Sequence, residues 1–163
     1  MGTCLTVGLP ERALPHARDA VRVWWSLAET DPRAHLVDLT DAWAVLADTY
    51  TDLGDRGRAL AAVRRAVDLC RRLPDASSED RQRALAQHLW TWASICLNTA
   101  DPRNAAHLVA GIRPAEESLA VLRRLHRGRH RYPDGSPFEA AGTLYELRRG
   151  LGRGPSHPHY GRH

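Results

Sequence analysis

The stretch 41-DAWAVLADTYTDLGDRGRALAAVRRA-66 decides the fold of this chain. Its apolar and small residues recur every three or four positions, which is the spacing of one face of an α-helix. The pattern is interrupted once, at Gly54 and Asp55, where glycine can end one helix in a left-handed conformation and aspartate can cap the next. The stretch therefore predicts two helices joined by a tight turn.

The same periodicity predicts further helices on both sides of this hairpin. Asp31-Pro32 marks one boundary, because aspartate caps helices and proline suits their first turn. Pro74 and Asp101-Pro102 interrupt the pattern again. The predicted helices cover 11–30, 33–53, 58–73, 79–98 and 114–126, with shorter ones at 103–111 and 138–150. Residues 151–163 are of low complexity, and we expect them to be disordered.

The helical pattern also repeats along the chain, with a shift of 46 residues. The positions that the shift superimposes are Ala20 and Ala66, Val21 and Val67, Trp24 and Cys70, Leu27 and Leu73, Leu39 and Leu85, Trp43 and Leu89, Ala47 and Ala93, and Tyr50 and Cys96. A single hairpin cannot bury its apolar face alone. Repetition therefore indicates that stacked hairpins share one core.

The first complete hairpin resembles a tetratricopeptide repeat. The match to the W-x2-L-G-x2-Y part of that family's pattern, with alanine in place of glycine, consists of Trp43, Leu46, Ala47 and Tyr50. The second helix of the hairpin continues the match with Ala59, Val63 and Ala66. A second, looser copy contains Leu89, Trp92, Ala93 and Cys96, and an insertion at 103–114 displaces its second helix. The long period resembles the extended repeats of bacterial arrays and kinesin light chains.

The resemblance implies an all-α solenoid of antiparallel helical hairpins, with about two and a half repeats over residues 11–127. Residues 1–10 would form an N-terminal arm. Residues 128–163 would form a basic linker, a short helix and a flexible tail. Because about three repeats are normally needed for stability, the end helices should cap the stack, or a second copy of the chain should pair with it.

The resemblance also predicts a binding surface. In this family the first helix of each hairpin lines a concave groove that usually binds a peptide. Carried over by position, the groove residues are Asp41, Ala44, Asp48, Thr51, Asp52, Gln87, Trp90, Ser94, Leu97 and Asn98. The acidic residues favour a peptide with a basic side chain. Trp90 is either the aromatic anchor of that peptide or is packed under a neighbouring helix.

We therefore expect a protein-protein interaction module, either an adaptor or a segment of a larger regulator. All 23 basic residues are arginine, a bias typical of GC-rich bacterial genes. Trp24 and Trp25 suggest a second interface, for a partner or a homodimer. Trp24 lies on the predicted core face, whereas Trp25 lies about 100° round the helix and is either packed on the N-terminal segment or exposed.

The basic character of the chain belongs to its C-terminal end. The formal net charge is +4, and residues 123–163 contain nine arginines and three carboxylates. Arg127, Arg129 and Arg131 are therefore candidate phosphate contacts. The alternative function is nucleic-acid binding by this end, with the repeats as a dimerisation scaffold. The other explanation is a solubilising tail.

Other functions lack support in the sequence. No nucleophile, phosphate-loop or dinucleotide motif occurs, so we expect neither an enzyme nor a cofactor. His126 and His130 are four residues apart, but Gly128 separates them, and we expect no metal site. Cys70 and Cys96 fall at core positions and are interpreted as buried thiols. Without a signal peptide or an apolar run long enough to span a membrane, the expected location is the cytoplasm.

Overall fold

The computed structural model describes residues 9–73, 78–98, 105–127 and 137–152. These residues form six α-helices: α1 (Leu9–Thr30), α2 (Pro32–Asp52), α3 (Arg56–Arg71), α4 (Glu79–Asn98), α5 (Ala106–Leu125) and α6 (Pro137–Gly152). The described ranges contain no strand. The all-α prediction is confirmed for this part of the chain. No helix in these ranges has the length and apolar character needed to cross a membrane.

The helix ends in the first half lie where the capping residues predicted them. The Asp31 side chain accepts a hydrogen bond from the backbone N–H of Ala34 at 3.2 Å, and Pro32 opens α2. The Asp55 side chain likewise accepts a hydrogen bond from the backbone N–H of Arg58 at 3.1 Å. Between α2 and α3, Gly54 has a φ of +72°, a conformation that glycine adopts without a steric penalty. These contacts keep the connections between α1, α2 and α3 short.

The region after Asn98 differs from the sequence prediction. Instead of a short helix at 103–111 and another at 114–126, one helix, α5, runs from Ala106 to Leu125 with Pro114 inside it. Proline lacks the N–H that a helix interior uses, which favours a break. Packing outweighs that loss here, since Leu108 and Ile112 contact the core that α5 shares with its neighbours.

Each helix packs against the next one along the chain, and α4 also contacts α6. One cluster of buried residues joins α1, α2 and α3, and another joins α4, α5 and α6. A third cluster, between α3 and α4, connects them through Val67, Cys70, Leu73, Leu85 and Leu89. Cys70 and Cys96 are free and buried, as predicted. Burial raises the pKa of both thiols, so neither is suited to act as a nucleophile.

The last helix is longer than predicted and belongs to the core. The sequence predicted a short helix at 138–150 in a basic linker and tail, whereas α6 covers 137–152. Its Ala140, Leu144 and Leu147 are buried against α4 and α5. The guanidinium of Arg148 also bonds the Glu116 carboxylate on α5. The packed region therefore continues beyond residue 127.

Small residues allow the helices to approach closely. The alanines with no exposed surface are Ala47, Ala59, Ala66, Ala86, Ala93, Ala115 and Ala140. Gly111 has a similar role where α4, α5 and α6 meet. A Cβ atom at position 111 would lie 2.8 Å from the Cβ of Cys96 and 3.0 Å from a methyl group of Leu147.

We predict that Gly111→Ala lowers the free energy of unfolding by about 1–3 kcal/mol, because an added methyl group overpacks this crossing. The matched control is Gly142→Ala on α6, where a Cβ would meet no atom within 4 Å. That substitution should raise stability by up to about 1 kcal/mol through helix propensity. Urea unfolding followed by circular dichroism measures both changes. Equal effects at the two positions would contradict the close approach at Gly111.

Candidate protein-binding surface

One face of α2 carries a row of four carboxylates with one valine at its centre. The row consists of Asp38, Asp41, Val45, Asp48 and Asp52, which we call the acidic stripe. Its members are separated by three, four, three and four residues, so they share one side of the helix over about 21 Å. Val45 at its centre is 56% exposed, which places an apolar contact between two pairs of charges.

The carboxylates of the acidic stripe lack partners. Within the described ranges, none of the four makes an ion pair or a side-chain hydrogen bond, although the chain has more basic than acidic residues. Other acidic residues are paired with arginine: Asp19 with Arg22, Asp55 with Arg58, Glu79 with Arg83, Glu116 with Arg148 and Glu117 with Arg71. The stripe is therefore a concentration of negative charge without ion pairs in the described fold, and of Asp41 and Asp48 only Asp41 has an opposite charge near enough to affect its pKa.

The carboxyl groups of Asp41 and Asp48 are partly shielded from water although both residues are exposed. Partial burial raises the pKa of Asp48, and the negative charge of Asp52 raises it further. Partial burial likewise raises the pKa of Asp41; His88 and Arg81 on α4 oppose that shift, and Asp38 adds to it. A cation bound along the stripe would relieve the repulsion between these groups.

His88 lies on α4 next to the stripe and was not identified from the sequence. Its ring is buried, and Nε2 has no hydrogen-bond partner among the described residues. Burial lowers the pKa of His88, and nearby Asp41 acts in the opposite direction. Burial of the ring thus disfavours the charged form that would attract Asp41. Asp38 and Val45 were also missed, although their three- and four-residue spacing to Asp41 and Asp48 is visible in the sequence.

The predicted groove residues divide between two environments. On α2, Asp41, Asp48 and Asp52 are exposed members of the stripe. Ala44 and Thr51 are half-buried, and the Thr51 hydroxyl donates to a carbonyl of its own helix at 2.8 Å. On α4, the exposed groove residues are Gln87 and Asn98, and the half-buried ones are Trp90, Ser94 and Leu97.

Trp90 is covered by α6. Its indole Nε1 donates a hydrogen bond to Oγ1 of Thr143 at 3.0 Å. The ring packs on the cluster that includes Ala86 and Ala140. Of the two interpretations of Trp90, this geometry matches the one in which a neighbouring helix covers the ring. The exposed residues of the predicted groove are therefore its three aspartates on the stripe together with Gln87 and Asn98, and not Trp90.

The other candidate residues lie away from the stripe. Trp24 is half-buried with its ring centroid 5.9 Å from that of His35. Trp25 is 43% exposed, and its Nε1 donates to Glu29 at 3.0 Å. Arg127 is exposed after the end of α5, whereas Arg129, Arg131 and His130 lie outside the described residues. The described residues contain no cluster of three side chains that could hold a metal ion.

Comparison with known proteins gives no further assignment. No protein-family description, curated protein or solved structure matches this chain.

We predict that Asp48→Asn stabilises the protein at pH 7, by on the order of 0.5 kcal/mol because the group is partly solvated. The pKa of Asp48 is above its ordinary value of 3.8 in the folded state, so the folded carboxyl takes up a proton at higher pH than the unfolded one. The difference between variant and wild type should therefore shrink as the pH falls towards 4. Thermal unfolding at several pH values measures it, and a difference that grows on acidification would contradict this electrostatic account.

Proposed function

We propose that this protein is a small helical-repeat adaptor that binds a basic helix or peptide of a partner protein along the acidic stripe. The observation that carries the proposal is the stripe itself. Asp38, Asp41, Asp48 and Asp52 share one face of α2 and make no ion pair within the described residues. Arg81 on α4 is near enough to lower the pKa of Asp41, but in this part of the chain no opposite charge acts on Asp48. Uncompensated charge of one sign attracts a partner of the opposite sign.

A tetratricopeptide-like solenoid is part of this proposal. The order of helix contacts supports it, since each helix packs on its successor and α4 also touches α6. Burial supports it too, because four pairs of positions 46 residues apart are buried in both copies: Val21 and Val67, Leu39 and Leu85, Ala47 and Ala93, and Tyr50 and Cys96. In this arrangement α2–α3 and α4–α5 are whole hairpins, and α1 and α6 are half-hairpins at the ends.

The spacing of the stripe defines the ligand. A helix whose arginine or lysine residues recur at three- and four-residue intervals can place a cation opposite each carboxylate. An apolar residue in the middle of that helix would contact Val45. Such a complex requires no chemical step, so the proposed activity is binding, and the proposed location remains the cytoplasm.

The test uses a fluorescein-labelled, alanine-based helical peptide whose arginines follow the spacing of the stripe. Fluorescence anisotropy should show binding to the full chain that weakens as salt is added. Replacing Asp41, Asp48 and Asp52 together with asparagine should raise Kd about tenfold, since each exposed charge pair contributes about 0.2–1 kcal/mol.

The control removes the same charge elsewhere. Glu11→Gln, Asp68→Asn and Glu139→Gln change three exposed carboxylates that lie outside the stripe. This triple variant should keep the affinity of the wild type within about twofold if the effect is local. If both triple variants weaken peptide binding equally, the affinity depends on the net charge of the protein and not on the stripe. That result would overturn the proposed site. A peptide with glutamate in place of arginine should not bind.

A further inference from the structure

The first helix carries a second row of residues, separate from the acidic stripe and exposed except at Ala20. It consists of Leu9, Ala13, His16, Ala20, Val23 and Leu27, which we call the α1 seam. The intervals are four, three, four, three and four residues, the narrow spacing found where two helices pack along their length. Leu9 is 61%, Val23 51% and Leu27 38% exposed, so the large side chains of the seam lie in solvent.

The seam lies beside the face through which α1 joins the fold, and of its six residues only Ala20 is half-buried and packs against the core. In the described chain α1 packs against α2, with Ala17, Val21 and Ala28 buried. The seam lies about 100° round the helix from those residues. The position equivalent to Leu27 in the 46-residue repeat is Leu73, which is buried between α3 and α4. The seam thus has the composition of a helix interface and no helix packed on it in the described ranges.

The arrangement of the seam is symmetric, and this points to its occupant. About residue 18, the leucines at the two ends of the seam match each other, and each larger inner residue is matched by an alanine. We infer that a second copy of this chain packs its α1 antiparallel along the same row. A two-fold axis then brings Leu9 opposite Leu27, Ala13 opposite Val23, and His16 opposite Ala20. A self-complementary patch of this kind is what a two-fold interface requires, because each contact occurs twice.

The charges beside the seam are compatible with this pairing. Asp19 borders the centre of the row and would approach its symmetry mate. It is already paired with Arg22, whose Nη2 lies 2.9 Å from the carboxylate. Each copy therefore brings its own counter-charge to the axis. On the same flank Arg12 lies opposite Ser26 of the second copy, so the like-charge approach on this flank is that of the two Asp19 carboxylates, each beside its own Arg22.

The size of the seam sets the expected strength. From Leu9 to Leu27 the row is about 27 Å long. With the residues that border it, the pair of helices would bury on the order of 1,000 Å² in total, at the lower end for a specific interface. The dimer should therefore dissociate on dilution. His16 is the single polar member of the row, and a polar residue at such a position weakens helix pairing.

This interface differs from the one expected at Trp24 and Trp25. Trp24 faces the core beside His35. Trp25 lies on the opposite side of the buried face from the seam, at about 160° from Leu9. The proposed dimer is also independent of the acidic stripe on α2, and either can fail without the other.

The test is the molar mass of the full chain as a function of concentration, measured by sedimentation equilibrium. We expect a shift from monomer to dimer as the concentration rises. Val23→Glu should abolish the shift, whereas Val109→Glu should not. Val109 on α5 is a matched control, because it is an equally accessible valine, 56% exposed, outside the seam. A wild-type monomer over the whole accessible range, or equal loss of the dimer in both variants, overturns the proposal.

A gain-of-function variant keeps the test decisive if Val23→Glu disturbs folding. His16→Leu makes the whole row apolar and should lower the dimer dissociation constant by at least about tenfold. Circular dichroism checks that the helix content is unchanged. If the dimer dissociation constant does not fall although the helix content is unchanged, position 16 does not face the second copy.

Cross-linking tests the orientation. In a Cys4→Ser background, the single variants Leu9→Cys and Leu27→Cys are oxidised separately and as a mixture. The antiparallel pairing predicts disulfide-linked dimers in the mixture only, since positions 9 and 27 face each other. A parallel pairing would link each variant to itself and contradict the inferred geometry. Failure to cross-link in all three samples would contradict the seam as the interface.

Discussion

Close approach between helices is the constraint on which the rest of this structure depends. Fully buried alanines occur on α2, α3, α4, α5 and α6, and Gly111 lies where the last three helices meet. At such short separations there is no space for large side chains at the crossings. The indole rings of Trp43, Trp90 and Trp92 are accordingly half-buried at the margins of the core. The positions of the small residues thus determine which larger groups remain near the surface.

The surface charges reflect the same packing. Arginine and glutamate pair between helices at two places, Arg71 on α3 with Glu117 on α5 and Arg148 on α6 with Glu116 on α5. The outer face of α2 makes no such pair in the described chain, although Arg81 on α4 lies near enough to Asp41 to lower the pKa of that one aspartate. Charge that the fold does not compensate is available to a partner, which is why we propose binding rather than catalysis.

The two proposed surfaces lie on adjacent helices but face different partners. The acidic stripe on α2 suits a basic helix, and the α1 seam suits a second copy of the chain. A dimer formed through the seam would present two stripes related by a two-fold axis. A partner with two basic segments could then bind both, and the second contact would form at a high effective concentration. Weak individual contacts would in this way give a stable assembly.

Local signals in the sequence determined the first four helices. Their ends were predicted within two residues, because Asp31, Gly54 and Asp55 act on neighbouring backbone groups whatever the rest of the chain does. The burial of Cys70 and Cys96 also followed from helical spacing, whereas Asp41, Asp48 and Asp52 were placed on an open surface by the resemblance to the tetratricopeptide repeat. Tertiary contacts decided the rest. Packing of Leu108 and Ile112 carries α5 through Pro114, a residue that locally costs a helix about 3 kcal/mol. Helix α6 covers Trp90. No local sequence pattern predicts this contact, because it joins residues 53 positions apart.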